Sequence, residues 1–154
     1  MLSQTLEYAL RAMVQLGYVA PSACSTDILA QTTKVPRAYL SKVLQSLRRS
    51  GLIRTQRGLG GGVCLAKEPK DITILEVVNA VEPIQRIPTC PLGLITHGSR
   101  LCPLHRKLDI ALAAMEASFR STTLSDIIHS EHGGSKPLCD AKPSNSVPEN
   151  ANPV

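Results

Sequence analysis

Apolar residues recur along the first twenty positions at helical rather than strand spacing. Leu2, Leu6, Leu10, Met13 and Leu16 stand three or four apart, the repeat of one helix face, and predict a first helix that ends near Pro21. Ser25 or Thr26 can accept backbone N–H bonds as an N-cap, with Asp27 well placed against the helix dipole, so a short second helix is expected to about Thr32. Thr33 to Pro36 read as a turn. Pro36 suits the first position of a third helix, whose Leu40, Val43, Leu44 and Leu47 sit at i, i+3, i+4 and i+7 until Gly51 stops it. The period then changes: Leu52 to Arg57 reads as a strand, Gly58 to Gly62 as a turn and Val63 to Ala66 as the returning strand of a hairpin. A T-x-x-E capping box at Thr73 and Glu76 opens a fourth helix carrying Leu75, Val78 and Val81. Pro83 and Pro88 break the chain beyond it. From Pro103, the residues Leu104, Leu108, Ala111, Leu112, Met115 and Phe119 form one stripe on a long helix, and a stripe so exposed requires a partner.

The pattern predicts a mainly α chain with a small β-hairpin. It divides into a winged helix-turn-helix domain over residues 1–82, a cysteine-containing loop over 83–102, a long-helix region over 103–130 and a tail over 133–154. The tail is rich in Gly, Ser, Pro and Asn and poor in large apolar groups, so it cannot offset its ordering entropy and is expected to be disordered. No Walker, Rossmann or catalytic-serine motif is present, and no nucleophile, base and orienting group can be proposed together. The chain does not read as an enzyme.

Charge narrows the function. Only 3% of residues are aromatic, which argues against base-stacking platforms for single strands. The net charge is +5, and between Ile28 and Lys67 stand eight basic residues with no Asp or Glu, a block suited to a polyanion. If Leu40, Val43, Leu44 and Leu47 face the core, Arg37, Ala38, Ser41, Lys42 and Gln45 face outward, as a recognition helix does toward the major groove of duplex DNA. Tyr39 can bond a phosphate through its hydroxyl. Arg48 and Arg49 are read as favouring the helix dipole. In the hairpin, Arg54 and Arg57 flank a glycine run in which Gly58, Gly60 and Gly61 let the backbone approach a phosphate or enter the minor groove. Glu7 and Arg11 interrupt the first apolar stretch and no run reaches membrane-spanning length, so a cytoplasmic protein without a membrane partner is expected. In that compartment the five cysteines read as thiols or metal ligands.

The stretches Glu7-Tyr8-Ala9-Leu10-Arg11, Tyr39-Leu40, Leu47-Arg48, Gly51-Leu52-Ile53, Arg57-Gly58, Gly61-Gly62, Ile72-Thr73 and Val77-Val78 together resemble the Rrf2 superfamily of bacterial winged-helix regulators (IscR-, NsrR-, RirA- and CymR-like), over roughly residues 1 to 130. The resemblance implies a transcriptional regulator that binds a pseudo-palindromic operator as a homodimer through its long helix, and the expected action is repression. It also implies an iron–sulfur cluster held by loop cysteines and by a ligand from the first helix of the other subunit. Here the loop runs from Cys90 to Cys102, followed by His105, and Thr96 and His97 stand where cluster-binding members usually carry a middle cysteine. The implied ligand set is Cys90, Cys102, His105 and Glu7, with His97 as substitute. Thiolates combined with nitrogen or oxygen donors suit a [2Fe–2S] centre that senses redox state, iron or nitric oxide. Alternatives stay open. Glu7 can simply pair with Arg11 at i+4; Cys90 and Cys102 can form a disulfide switch or ligate zinc; and the chain can be an interaction module for a partner enzyme. Cys24 is expected at the edge of the core and Cys64 in the hairpin.

Overall fold

The computed structural model describes residues 3–93, 100–130 and 136–138. The expectations placed on Leu2, on His97 and on nearly all of the tail, Cys139 included, lie outside them. The described elements run α1 (Gln4–Val19), α2 (Thr26–Thr33), α3 (Arg37–Arg49), β1 (Ile53–Gln56), β2 (Gly62–Leu65), a 3₁₀ turn (Pro69–Asp71), α4 (Ile74–Val81), α5 (Pro103–Ser121) and α6 (Leu124–His129). This is the mainly helical, winged helix-turn-helix architecture that the periodicity predicts.

Helix α1 is the central strut. Ser3 caps it by accepting the Leu6 N–H, and its hydroxyl also bonds the Glu82 carboxylate. Ala9, Ala12, Met13 and Leu16 are wholly buried, and α2, α3, α4, α6 and β2 all pack against the helix. Small residues make this crowding possible. A Cβ at Gly17 would lie 3.3 Å from the Ile128 side chain. Helix α2 is capped by Ser25 and ends on Lys34 in the left-handed region (φ 55°), whose N–H reaches the Ala30 and Gln31 carbonyls. That reversal delivers the chain to Pro36, which is the extended N-cap (ψ 133°) rather than the first helical residue. The Pro36 carbonyl accepts from Tyr39 and Leu40.

Strands β1 and β2 pair antiparallel with Ile53 opposite Leu65 and Gln56 opposite Gly62. A third segment joins the base of this wing: Cys24 and Val63 exchange two backbone hydrogen bonds of 2.8 Å. The contact depends on Gly62, at φ 153°, where a Cβ would stand 2.3 Å from the Cys24 carbonyl oxygen.

Past the wing, Thr73 and Glu76 form the expected capping box of α4, and Lys67 approaches the same carboxylate at 2.9 Å. A second capping box, at Thr123 and Asp126, opens α6. The two box threonines pair across an antiparallel bridge, Ile74 N–H to the Thr122 carbonyl (2.9 Å) and Leu124 N–H to the Ile72 carbonyl (2.8 Å). Leu124 and Ile128 thereby enter the core beside α1. The stripe on α5 divides in two. Leu112, Met115 and Phe119 line a cavity of about 290 Å³ with Leu6, Val78 and Ile84, whereas Leu104 and Leu108 are 63% and 47% exposed.

These contacts lead to two expected outcomes. Gly62→Ala loses more than about 2 kcal/mol in urea unfolding because backbone must move, while Gly58→Ala, facing open space at φ 97°, costs only about 1 kcal/mol. The second concerns pH. Burial works against the Glu76 carboxylate, but the Thr73 N–H, the Lys67 ammonium and the Thr73 hydroxyl overcome it and hold its pKa below the ordinary value. A lowered folded pKa adds stability that is present above the unfolded value and lost as pH falls through the folded one. Glu76→Gln should therefore flatten the acid limb of a stability–pH profile.

Candidate nucleic-acid interface and metal centre

The buried Leu40, Val43, Leu44 and Leu47 fix the rotation of α3. Arg37, Ala38, Ser41, Lys42 and Gln45 all emerge exposed on the opposite side, as does Tyr39. Arg37 is engaged with Asp27 of α2 at 2.6 Å, both side chains about two-thirds exposed, so the pair is weak and readily exchanged. Ser41 donates to the Arg37 carbonyl at 3.0 Å. The Tyr39 ring leans on Tyr8 of α1, centroids 6.0 Å apart, which orients its hydroxyl from the first helix.

Between α3 and the wing runs a groove of about 520 Å³ whose rim includes Ser41, Lys42, Gln45, Arg48 and Thr55. Thr26 also lines it, over a floor of Leu44, Ile53 and Val63. The sequence pattern did not assign Arg48 and Thr55 to this groove. The signal for Arg48 was its place seven after Ser41 and three after Gln45, on the same helix face; for Thr55 it was strand alternation from Ile53. The same alternation turns Arg54 to the other side of the hairpin. There its Nε lies 3.3 Å from the Cys64 sulfur, and it lines a separate cleft of about 650 Å³ with Lys67, Lys70 and the ends of α1 and α6. Arg57, Gly58 and Gly60 are exposed at the wing tip and Gly61 is half-buried. Gly61 must be glycine, since a Cβ would meet the Gln56 and Gly58 carbonyls at 2.6 and 2.7 Å.

The second site lies where the loop after α4 meets the start of α5. Cys102 is the N-cap of α5, His105 sits in its first turn, and Cys90 is buried beneath them. The His105 Nδ1 stands 3.1 Å from the Cys102 sulfur and 3.7 Å from the Cys90 sulfur, and one donor atom from each residue fits within a 4.8 Å span. Three of the four residues of the implied ligand set thus converge. Glu7 is not with them in this chain; it is half-exposed and bonds Arg11 Nε at 2.9 Å. No described cysteine is in a disulfide. Cys64 lies in strand β2 of the hairpin, as expected, and Cys24 is buried within the main core cluster, where burial pushes its thiol pKa up.

The approach to Cys90 is tied down. Arg86 grips Asp109 of α5 through two bonds of 2.7 and 2.6 Å, and the Ile87 N–H donates to the same carboxylate at 2.9 Å. These bonds hold the Asp109 pKa down to about 2. Among the described residues no helix is long and apolar enough to cross a membrane.

A family model described as Rrf2, iron-dependent transcriptional regulator, matches residues 2–130. The transcriptional regulator IscR of Cereibacter sphaeroides is 34% identical over 136 residues, covering 84% of this chain and 88% of its own. NsrR of Bacillus subtilis is 33% identical over 133 residues, covering 82% and 89%. Among solved structures, CymR of B. subtilis, a global cysteine regulator, superposes with a TM-score of 0.67 at 28% identity over 82% of this chain and 94% of its own. IscR of T. potens shares the fold with a TM-score of 0.68 at 23% identity, covering 82% and 84%. These relatives are regulators that act on DNA rather than enzymes, and the chain belongs to the Rrf2 family of transcriptional regulators.

Proposed function

We propose that the protein is a sensor-repressor that binds a pseudo-palindromic operator as a homodimer, and that Cys90, Cys102 and His105 hold an iron–sulfur centre whose state sets operator affinity. The observation that carries this reading is the convergence of two thiols and an imidazole at the start of α5, on the helix whose far end is bridged to the first residue of α4. The donor chemistry fits a [2Fe–2S] centre with mixed sulfur and nitrogen ligation. The fourth position falls to the partner subunit's Glu7. When bound, such a centre supplies one-electron redox chemistry and lability toward oxidants or nitric oxide.

The chain's own residues provide the route to DNA. A displacement at Cys102 and His105 moves α5; α5 meets α4 through Thr122 and Ile74, and α4 packs on both α1 and α3. The recognition surface is then Arg37, Ala38, Tyr39, Ser41, Lys42 and Gln45 of α3, with Arg57, Gly58, Gly60 and Gly61 of the wing. Arg54, on the other face of the hairpin, contributes long-range attraction to the phosphate backbone. The exposed Leu104 and Leu108, on one face of α5, supply the dimer contact, with residues 103–130 as the dimerisation region and 83–102 as the sensor loop.

One observation favours a second reading of the same site. Donors spanning no more than 4.8 Å match the ligands of a single tetrahedral ion, with metal–sulfur bonds of about 2.3 Å, whereas ligands on different irons of a cluster stand farther apart. Iron and acid-labile sulfide per chain, assayed on anaerobically purified protein with its visible spectrum, separate the readings. Equal iron and sulfide with charge-transfer bands, lost in Cys90→Ala and in Cys102→Ala, support the cluster. Metal without sulfide supports the single ion, and neither leaves a thiol-switched or cofactor-free regulator.

Duplex binding checks the other half. With half-sites about one helical turn apart, affinity should fall steeply with salt, and Lys42→Ala should weaken it while lowering the slope of log K against log salt by about one. In sedimentation, Leu108→Asp should shift the dimer to monomer, since it buries an unpaired charge.

A further inference from the structure

Helix α5 presents Cys102, His105 and Asp109 along one side. His105 and Asp109 are four residues apart and so stand one above the other, and Cys102 caps the same end. Cys90 has no such helical placement. It is reached from α4 through a stretch with no regular structure from Glu82 to Thr89, and its position against His105 has to be set by something outside its own backbone. Three of the bonds that tie this stretch to α5 meet at one carboxylate. Asp109 Oδ1 accepts from Arg86 Nε and from the Ile87 N–H, and Oδ2 accepts from Arg86 Nη2. The Asp109 side chain is 18% exposed, largely sheltered where it makes them. Glu116, two turns further along, stands 3.6 Å from Arg86 Nη1 and is itself braced by Arg120 at 2.7 Å.

We propose that Asp109 is the positioning residue of the Cys90, Cys102 and His105 site: it anchors the chain three residues before Cys90 to the helix that carries the other two donors, and so fixes the separation among all three. The proposal rests on these residues acting as a metal site. Its geometry is favourable for such a role. Arg86 binds in the bidentate fork that carboxylate and guanidinium make best, and the added backbone N–H fixes the direction of the chain as well as its distance. An isosteric amide at 109 keeps the volume but offers one acceptor oxygen and no charge, so the fork opens and Cys90 samples a wider range of positions. Groups that orient ligands from outside the metal's own shell commonly govern affinity by about 10- to 100-fold.

The test uses the full reduced chain and two readouts. Co²⁺ is titrated anaerobically into native protein and Asp109→Asn, monitored by the thiolate-to-cobalt charge-transfer band. In parallel the metal-free proteins are treated with diamide, which takes up two electrons and two protons as the Cys90 and Cys102 sulfurs join. The expected result is Co²⁺ affinity at least about tenfold weaker in Asp109→Asn, slower Cys90–Cys102 disulfide formation, and partial recovery of both in the charge-swapped pair Arg86→Asp with Asp109→Arg. A merely structural role would lower thermal stability in the variant without separating the two sulfurs. Equal affinities and equal disulfide rates in native protein and Asp109→Asn would overturn the proposal. If native protein takes up no Co²⁺, the metal reading fails, and the disulfide rates alone decide whether Asp109 positions Cys90.

Discussion

The fold depends on one crowded helix. α1 is enclosed by four other helices and the second strand of the wing, and a helix can be surrounded so closely only if several of its side chains are small. Ala9, Ala12 and Gly17 meet that condition, and Met13 and Leu16 fill the spaces between them. Interiors packed to crystal-like density transmit displacement rather than absorb it. The helix-turn-helix, the wing base and the return from the long helix therefore share a single reference, and none can shift far without moving α1.

That arrangement explains which parts of the molecule could be read from sequence. The third helix was legible to its outward face because Leu40, Val43, Leu44 and Leu47 repeat without a break, and the T-x-x-E at Thr73 announced α4. The T-x-x-D at Thr123 carries the same signal, but the six-residue helix it opens is too short to show a period, so α6 merged into the region after Pro103. Its place beside Gly17 is a long-range fact, and local pattern holds no record of it. Arg54 illustrates a different limit. Charge and proximity to the glycine run group it with Arg57, while alternation along β1 puts it on the other hairpin face from Ile53 and Thr55.

The Cys90, Cys102 and His105 group was legible only as a set of residue types. Cys102 and His105 belong together by helical spacing, but Cys90 comes to them from a nonhelical stretch that meets α5 through Arg86 and Asp109, 23 residues apart in the chain, and no local pattern records that approach. The division of the long helix was also hidden. One continuous apolar stripe became two because the winged domain folds back over Leu112, Met115 and Phe119 and stops short of Leu108. A periodic pattern states that a face is apolar; it does not state how many neighbours share it.

The wing joins two kinds of glycine. Gly61 and Gly62 sit against backbone and admit no side chain, whereas Gly58 and Gly60 face open space around a fully exposed Leu59. The hairpin is in effect a rigid socket with an interchangeable tip. Because lengthening a surface loop costs little, about 0.6 kcal/mol for each doubling, residues at the tip can be added or exchanged with small penalty while the socket keeps the same aim. The length and chemistry of the tip can therefore change while the packing of the rest of the domain stays as it is.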